Sequence, residues 1–534
     1  MRKLKIGIID FITKARNKSL WSRLMHANLA GIMPQVIGCW CEELGHETSY
    51  FIFTGFEELS EDVPKDIDIV FISAFTQSAL QAYALSNKYR KEGVITVLGG
   101  PHARCYPEDA KKYFDYVLGL TDKSICNDVL QDCSHHRPLG QCLTAAKQPT
   151  TLPGVRERWK FISLALRKSS WINVVPMIGS MGCPYTCNFC IDATQPYQPL
   201  EFELLKEDLR FLLKKYKRPL VSWHDPNFGV RFDDYLDAIE EAVPINSIDY
   251  IAESSLSLLS EPHLKRLKQN GFKAILPGIE SWYDMGNKSK TGKKQGEEKL
   301  KAISDHVNTI LDYIPYIQTN FVLGLDCDET PESFELTKKF VDMCPAAFPS
   351  FPLLTSFGNA APINIEYQKD NRVLPFPFHF LNNNHAINVK PKHYSWTEFY
   401  DQVIGLVEHS YSLRTIFNRF RKNSPGVPRW MNLMRAISTE GFGRLKYYRK
   451  IRKFLDEDHE YRSFFEGEST IIPDFYTNMI KKDLGPLWNW LPEGAIYHDQ
   501  NAFYNSTLKK KNSIEEEEKI IELNNTVESI NVSA

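Results

Sequence analysis

The chain has 534 residues, in which 64 lysines and arginines nearly balance 66 aspartates and glutamates. This length allows two or three domains that each bury a core, and the balanced charge excludes a dedicated nucleic-acid coat or a sponge for acidic substrates. No run of roughly 18 apolar residues could form a membrane span, and the N-terminus begins a strand pattern instead of a signal-peptide core. We therefore expect a cytoplasmic protein.

The first 135 residues alternate between strand and helix patterns at short intervals. Such alternation is typical of a parallel sheet with helices on both faces. We predict an α/β, doubly wound, flavodoxin-like (Rossmann-type) domain over residues 1–135. Strands are expected at residues 6–9, 48–53, 67–73, 94–98 and 116–118, and helices at residues 27–43 and 78–91.

Doubly wound sheets bind ligands at the carboxyl ends of their strands. The third predicted strand ends in Ser73-Ala74-Phe75-Thr76, and the fourth opens on Gly99-Gly100-Pro101-His102. Because glycine lets a backbone approach a ligand closely, Ser73, Thr76, Gly99 and Gly100 are candidate binding residues. A plain structural turn explains these residues equally well.

Residues 136–170 contain several prolines and glycines, which predicts a linker without long elements. Potential metal ligands lie nearby, at Cys126, Cys133, His135, His136 and Cys142. Their spacing matches no familiar ligand pattern, so ordinary thiols and histidines are the preferred interpretation. Apart from the group described next, the cysteines are scattered, as in a reduced protein.

Three thiols, Cys183, Cys187 and Cys190, occur within eight residues in a C-x3-C-x2-C pattern. Gly182 and Pro184 disfavour a regular helix or strand, so we expect a loop whose sulfurs converge on one point. A structural zinc site fits poorly because no second Cys/His pair follows at the usual distance, and an odd count does not suit disulfides. A [4Fe-4S] cluster held by only three thiolates keeps one iron open for substrate chemistry.

At these residues the chain resembles the radical S-adenosylmethionine superfamily, whose cluster loop has this spacing, often with the lead-in seen at Gly182 to Tyr185. The resemblance implies that Cys183, Cys187 and Cys190 are the metal ligands and the catalytic residues. It also implies that S-adenosylmethionine chelates the open iron, and that one electron from the cluster cleaves this cofactor to a 5′-deoxyadenosyl radical.

From residue 171 onward strands and helices again alternate. Strands are expected at residues 171–180, 220–224, 250–253, 273–276, 318–325 and 351–355, and an amphipathic helix at residues 200–217. Such a series suits the partial (β/α)6 TIM-type barrel that the resemblance implies for residues 171–360. Chemistry is then expected at the carboxyl ends of the strands.

Polar residues follow several of these strands. Glu280 and Ser281 resemble the position that hydrogen-bonds the ribose of the cofactor, a role that suits a carboxylate. Asp225 and Asn227 resemble the segment near its methionine amino group. Without the family, a helix cap or loop hydrogen bond would explain each of these residues.

The stretch from Phe321 to Leu325, which includes Gly324, resembles the segment beside the adenine of the cofactor. Two positions depart from the family pattern, because Asn320 stands where a glycine is expected and Cys327 where a glutamate is expected. Glu329 comes two residues too late to replace it.

Placed before a cluster loop, the N-terminal domain resembles the cobalamin-binding domain of one large radical S-adenosylmethionine subclass. Methionine synthase and the mutases have Asp-x-His-x-x-Gly after the first strand, and the histidine binds cobalt. Here Asp10 is followed by Phe11-Ile12-Thr13-Lys14-Ala15-Arg16, without an axial histidine at that point. Many members of the subclass also lack it, so cobalamin stays an expected cofactor.

Residues 361–508 predict a mostly helical region, with a helix at residues 395–409, and residues 509–534 a charged, disordered tail. Such regions often close over a barrel mouth, so Trp396, Trp430, Trp488 and Trp490 line a substrate pocket or fill a small core. Residues 413–454 mix basic and aromatic side chains, which can bind phosphate backbones or a membrane surface. A helical cap with solvated basic faces is the preferred interpretation.

These expectations together describe a cobalamin-dependent radical S-adenosylmethionine enzyme that methylates an unactivated carbon. Its substrate is a small molecule, peptide or lipid, with no nucleic acid, and its reductant a flavodoxin or ferredoxin. Radical cyclisation, ring contraction or oxidoreduction is one alternative, and a non-catalytic binding or sensing protein is another. A transfer-RNA methylthiolating enzyme needs a second cysteine triplet, which Cys39, Cys41 and Cys105 do not resemble.

Overall fold

The computed structural model describes residues 2–14, 30–132, 139–168 and 172–499. Its N-terminal part is built on a six-stranded parallel sheet. The strands are β1 (Lys5–Phe11), β2 (Glu47–Phe53), β3 (Ile69–Ser73), β4 (Ile95–Gly99), β5 (Tyr116–Leu118) and β6 (Gln141–Leu143). Their order is β2-β1-β3-β4-β5-β6, so the predicted flavodoxin-like order of the first five strands is confirmed.

Helices cover this sheet and bury its apolar strands. They are α1 (Ile32–Glu43), α2 (Ala79–Lys91), α3 (Pro101–Cys105), α4 (Pro107–Ala110) and α5 (Lys123–Asp132), with a 3-10 turn at Thr76–Ser78. β1 and β3 are buried almost throughout, as parallel strands covered on both faces are. Of the five nearby metal-ligand candidates, Cys126 is buried in α5 and Cys142 is exposed on β6. Cys133, His135 and His136 lie outside the described residues.

The predicted linker contains regular structure. Besides β6 it carries α6 (Val155–Lys168), so the expectation that prolines and glycines break every long element there is wrong. The reason is that Pro153 and Gly154 precede the helix, and no breaker interrupts it. Arg158 is buried in α6, where Nε donates to the Pro153 carbonyl (3.0 Å) and Nη1 donates to Gln35 Oε1 (2.9 Å). These bonds fix α6 to its own N-terminus and to α1.

The second large sheet forms an open parallel barrel. Its strands are β7 (Val174–Met177), β10 (Leu220–Trp223), β11 (Asp249–Ala252), β12 (Phe272–Ile275), β13 (Gly278–Glu280), β14 (Tyr316–Phe321) and β15 (Phe348–Ser350). A short antiparallel pair, β8 (Ser180–Met181) and β9 (Gln198–Pro199), follows β7. β12 and β13 both pair with β14, as two parts of the predicted fourth strand. Within the described residues β7 and β15 do not pair, so the barrel is not closed.

Five of the six predicted barrel strands are present, and the sixth is observed at Phe348–Ser350, just before the predicted residues 351–355. The helices between them are α7 (Phe202–Lys215), α8 (Phe232–Ala242), α9 (Glu261–Asn270), α10 (Gly286–Ser289), α11 (Gly296–Tyr313) and α12 (Glu332–Met343). The strand order places every βα loop at the same end, which is where the predicted site residues lie.

The C-terminal region is helical, as predicted. It comprises α13 (Ile363–Lys369), a 3-10 turn at Phe378–Phe380, α14 (Trp396–Ser410), α15 (Leu413–Lys422), α16 (Val427–Ile437), a π-helix at Thr439–Gly443, α17 (Arg444–Glu457), α18 (His459–Glu466), α19 (Asp474–Leu484) and a 3-10 turn at Gly485–Trp490. A capping box of Ser395 and Glu398 starts α14. No described helix is both long and apolar enough to cross a membrane.

The four tryptophans of this region have different environments. Trp396 is buried and donates from Nε1 to the Phe465 carbonyl (2.7 Å), so it fills a core. Trp488 and Trp490 are half-buried, and the Trp490 carbonyl accepts from Asn87 of α2 (2.7 Å). Trp430 is exposed. The domain bounds of 1–135, 136–170, 171–360 and 361–508 stay predictions, and the tail lies outside the described residues.

We predict that Arg158→Leu lowers stability by about 2 kcal/mol or more, because a buried charge-assisted hydrogen bond is lost and Gln35 Oε1 keeps no partner. The midpoint of urea unfolding measures the change. Arg167→Leu, on the exposed face of the same helix, is the matched control. Equal midpoints for the two variants would contradict the prediction.

Candidate functional site

The cysteine loop lies between β8 and β9, at the carboxyl end of the first barrel strand. Gly182 has φ +67°, and a Cβ there would lie 2.2 Å from the Pro196 carbonyl oxygen, so the loop closes on itself only with glycine. The Cys190 amide donates to the Cys187 carbonyl (2.9 Å), and the Asp192 amide donates to Cys190 Sγ (3.4 Å). The backbone thus shapes the loop and gives one sulfur a hydrogen-bond donor.

The three thiols are half-buried, and burial raises the pKa of each, that of Cys190 to about 11. Lys288 opposes this rise at all three. Thiolates here therefore need positive charge beside them, which bound iron supplies.

The sulfurs do not converge on one point as the sequence led us to expect. In the described ranges no three His, Cys, Asp or Glu side chains are grouped closely enough to hold a single metal ion. In a four-iron cube each thiolate binds a separate iron, so the ligands stand further apart than around one ion. Three half-buried thiols on one short loop fit that donor set.

Lys288 is a site residue that the sequence reasoning missed. Its Nζ lies 2.6 Å from Glu280 Oε1, and this carboxylate together with Cys187 raises the Lys288 pKa although burial lowers it. Glu280 is buried and has φ +65°, an unusual backbone conformation for a residue other than glycine. The structure therefore brings Glu280, Lys288 and the cysteine loop into one charged site.

Glu253 is a second residue that was not predicted. It follows β11 and is accessible to solvent, yet the protein around it raises the pKa of its carboxyl. Lys288 lowers this pKa, whereas Glu280 and Asp192 raise it further. A side chain that is both accessible and surrounded by protein lines an interior space, here at the barrel mouth.

The carboxylate of Asp225 is hydrogen-bonded to other residues of the protein. It accepts from the Gly179 amide (3.0 Å), the Ser180 hydroxyl (2.6 Å) and the Tyr235 hydroxyl. Both oxygens are occupied and the side chain is buried. Asp225 therefore positions the chain just before the cysteine loop, and its predicted place beside a methionine amino group stays a prediction.

The remaining barrel candidates divide into two groups. Asn227 Oδ1 accepts from the amide (2.9 Å) and hydroxyl (3.1 Å) of Ser255, while its buried Nδ2 has no partner among the described residues. Ser281 instead donates to Asp328 (2.7 Å), and a Cβ at Gly324 would lie 2.7 Å from Ile387. Asn227 offers a donor to a ligand, whereas Ser281 is hydrogen-bonded within the protein and Gly324 packs against Ile387.

Three of the four N-terminal candidates meet at the carboxyl edge of their sheet. Ser73 is the register partner of Gly99, and no described atom lies within 4 Å of a Cβ built at Gly99. Gly100 has φ +89° and a Cβ there would lie 3.0 Å from the Ala74 carbonyl oxygen. Thr76, the fourth candidate, is buried, and its binding role stays a prediction.

This edge faces the barrel mouth. Arg104, four residues after Gly100, forms an ion pair with Asp192 of the cysteine loop at 3.0 Å. The Tyr106 hydroxyl donates to the carbonyl of Ser356, which follows the last barrel strand (3.1 Å). One segment of the N-terminal domain thus contacts the loop after the first strand and the chain after the sixth.

We predict that Asp225→Asn loosens the base of the cysteine loop, because the new amide group would face one of three hydrogen-bond donors. Iron retained per chain after anaerobic reconstitution and gel filtration should fall severalfold. Tyr235→Phe, which removes one donor, should have a smaller effect. Asp234→Asn, an exposed carboxylate on the same helix, is the control, and iron loss equal to that in Asp225→Asn would contradict the prediction.

No family model matches the chain. It is similar to bacteriochlorophyllide d C-12(1)-methyltransferase of Chlorobaculum tepidum, with 24% identity over 387 residues that cover 70% of this chain and 82% of the relative. Bacteriochlorophyllide d C-8(2)-methyltransferase of the same organism is 24% identical over 382 residues, covering 66% and 81%.

Solved structures give the same picture of the fold. The radical S-adenosylmethionine methyltransferase TsrM from Kitasatospora setae, with cobalamin and a [4Fe-4S] cluster bound, superposes with a TM-score of 0.51 at 14% identity, covering 69% of this chain and 78% of TsrM. The cobalamin-dependent S-adenosylmethionine radical enzyme OxsB, with aqua-cobalamin bound, has a TM-score of 0.50 at 13% identity, covering 96% and 84%. The chain thus shares the fold of these cobalamin-dependent and radical S-adenosylmethionine enzymes, and its C-x3-C-x2-C loop lies at the barrel mouth.

Proposed function

We propose that the protein is a cobalamin-dependent radical S-adenosylmethionine enzyme that methylates an unactivated carbon of a small molecule. One observation carries the proposal: the open carboxyl edge of the N-terminal sheet faces the cysteine loop and is tied to it by Arg104 and Asp192. A cofactor bound at the sheet edge and a cluster bound at the cysteine loop would therefore face the same space. The curated relatives are methyltransferases named for bacteriochlorophyllide d, which supports methyl transfer as the outcome.

When bound, the cluster would supply the electron that cleaves S-adenosylmethionine, and cobalamin would supply the methyl group. The chain binds, orients and keeps out water. Cys183, Cys187 and Cys190 would hold the cluster through three irons and keep the fourth open. The Asp192 amide already points at Cys190 Sγ, which stabilises negative charge on that sulfur.

The charged groups beside the loop suit S-adenosylmethionine, which carries a carboxylate, an amino group and ribose hydroxyls. Lys288 has three N–H donors, of which Glu280 takes one, so the others can meet a carboxylate. Glu253 and Glu280 can accept from an amino group or from hydroxyls. The unpaired Nδ2 of Asn227 is a further donor. Ser281 would act through its hydrogen bond to Asp328, and Gly324 through packing.

The N-terminal edge suits the flat ring of cobalamin. Gly99 leaves open space at the end of β4, and Ser73 lies beside it in the neighbouring strand. Asp10, at the place where the family's axial histidine motif begins, accepts from the Gly31 amide (2.7 Å) and the Tyr50 hydroxyl (2.9 Å). Asp10 thus stabilises the start of α1. The residues from Phe11 to Lys14 include no histidine to bind cobalt.

We further propose that a reduced flavodoxin or ferredoxin supplies the electron and that the protein works in the cytoplasm. A solvent-accessible cluster needs a compartment that keeps thiols reduced, and the ten cysteines of the described residues form no disulfide.

We predict that protein reconstituted with its cluster and with cobalamin as the methyl acceptor, then reduced and given S-adenosylmethionine, forms 5′-deoxyadenosine and S-adenosylhomocysteine. Cys187→Ala should form no deoxyadenosine and no S-adenosylhomocysteine, because two thiolates hold the cluster poorly. Mass spectrometry measures both products. Cys142→Ala, an exposed cysteine on β6, is the control and should keep full activity. Deoxyadenosine without S-adenosylhomocysteine would refute methyl transfer, and product formation by Cys187→Ala would refute the radical enzyme.

We predict that Gly99→Leu prevents cobalamin from binding while iron content stays unchanged. A Cβ at Gly99 meets no described atom within 4 Å, so the variant should fold, and the rest of the leucine side chain would extend into the space assigned to the ring. Cobalamin retained after desalting is measured by absorbance, and a loss of about tenfold or more is expected for a steric block in a binding site. Gly405→Leu, on α14, is a control with similar room. Undiminished cobalamin in Gly99→Leu would contradict the assignment.

A further inference from the structure

Exposed apolar side chains are concentrated in one part of the C-terminal region. Thirteen large apolar side chains are exposed among the described residues, and six of them fall between residues 413 and 442. We call these six the apolar patch: Leu413, Phe417, Val427, Trp430, Ile437 and Phe442. Scattered single residues of this kind are ordinary on soluble surfaces, whereas a concentration marks an interaction site.

Five of the six patch residues follow helical periodicity on two adjacent helices, and Phe442 lies in the π-helix that comes next. Leu413 and Phe417 are one turn apart on α15. Val427, Trp430 and Ile437 lie along one face of α16, with half-buried Met434 between them. The rings of Phe420 and Trp430 are 5.3 Å apart, so the α16 face begins beside α15. Each helix therefore presents an apolar stripe that no other described element covers.

Positive charge accompanies the patch. Residues 413–443 contain six arginines and lysines and a single acidic residue, Glu440, which is paired with Arg435 at 2.5 Å. Arg414, Arg421 and Lys422 are exposed on α15, and the Arg421 guanidinium lies 5.7 Å from the centre of the Phe417 ring. The surface thus combines aromatic and aliphatic side chains with unneutralised cations.

The buried sides of α15 and α16 anchor the patch to the barrel at the end opposite the cysteine loop. Arg435 donates to the Tyr316 hydroxyl (2.6 Å) and lies 4.1 Å from the centre of the Phe348 ring. Buried Arg419 approaches the same Phe348 ring at 5.8 Å. Tyr316 and Phe348 are the first residues of β14 and β15. These helices do not close over the mouth, so Trp430 lines no substrate pocket there.

We propose that the apolar patch docks the protein on the surface of an anionic lipid bilayer. Interfacial helices have this composition: the apolar stripe enters the boundary between headgroups and acyl chains, a tryptophan sits at that depth, and arginine and lysine meet lipid phosphates. Because the patch lies at the amino ends of the barrel strands, docking turns the barrel mouth away from the lipid.

Other occupants suit the surface less well. A second copy of this chain would set one positive surface against another, which opposes association. A nucleic acid would pair with the cations and stack on Trp430 or Phe417. The aliphatic side chains of Leu413, Val427 and Ile437, however, make no favourable contact with a phosphate backbone. Lipid satisfies both the aliphatic and the basic side chains.

Vesicle co-sedimentation of the full chain tests the proposal. We expect binding to vesicles of phosphatidylcholine with phosphatidylglycerol, little binding to phosphatidylcholine alone, and weakening as salt rises. Replacing Arg414, Arg421 and Lys422 together by glutamine should weaken binding by about a hundredfold, at about fivefold for each basic residue near an anionic surface. Phe417→Ser with Trp430→Ser should weaken it by about tenfold or more through lost apolar contact.

The control replaces two exposed isoleucines outside the patch, Ile245→Ser with Ile471→Ser, and should bind as the wild type does. Equal loss in patch and control variants, or no vesicle binding by the wild type, would overturn the proposal. Two other results would also overturn it: dimerisation of the wild type in sedimentation velocity that the patch variants abolish, and binding of a short single-stranded RNA that the patch variants abolish. Vesicle binding needs no turnover, and iron content and deoxyadenosine formation in every variant keep this result separate from the proposed function.

Discussion

The site depends on one buried carboxylate. Asp225 follows the second barrel strand and accepts hydrogen bonds from Gly179 and Ser180 at the end of the first strand and from Tyr235 on the next helix. Burial raises the pKa of Asp225, and the three donors oppose that rise, so the contacts are what make a buried charge tolerable. The cysteine loop starts at Gly182, two residues after Ser180. Its position is therefore fixed before any cofactor binds.

The carboxyl edge of the N-terminal sheet lies opposite the cysteine loop. A parallel sheet leaves its carboxyl ends free for ligands, and this chain contains two such sheets. The Arg104 and Asp192 ion pair joins the segment after Gly100 to the cysteine loop, so the two free edges face each other. Lys288 acts electrostatically on Glu280 and Glu253, and it also lowers the pKa of each of the three thiols.

The sequence predicted most strands and the cysteine loop well, but it predicted long-range side-chain contacts poorly. The first five strands of each sheet and the cysteine loop follow from runs of neighbouring residues, whose periodicity and spacing are visible without a fold. Lys288 was missed because it is one of four lysines between residues 288 and 294, and only its contact with Glu280 distinguishes it. The positioning role of Asp225 depends on residues 46 and 10 positions away, a distance at which sequence patterns carry no signal. Glu253 could have been found, because it ends a predicted strand at the edge where chemistry is expected.

A parallel barrel also explains why two unlike surfaces can coexist on this chain. The carboxyl ends of the strands carry Glu253, Glu280 and the cysteine loop, so the proposed cofactor chemistry would constrain residues there. The amino ends of the strands have no such role. There, Tyr316 and Phe348 contact Arg435 of α16 and Arg419 of α15. An exposed Phe417 or Trp430 at that end therefore has no catalytic explanation, and stability does not favour it either, since burial and not exposure of aromatic area stabilises a fold. Retaining them is physically reasonable only where something outside the chain covers them, and the cations around them specify that the covering surface is negatively charged.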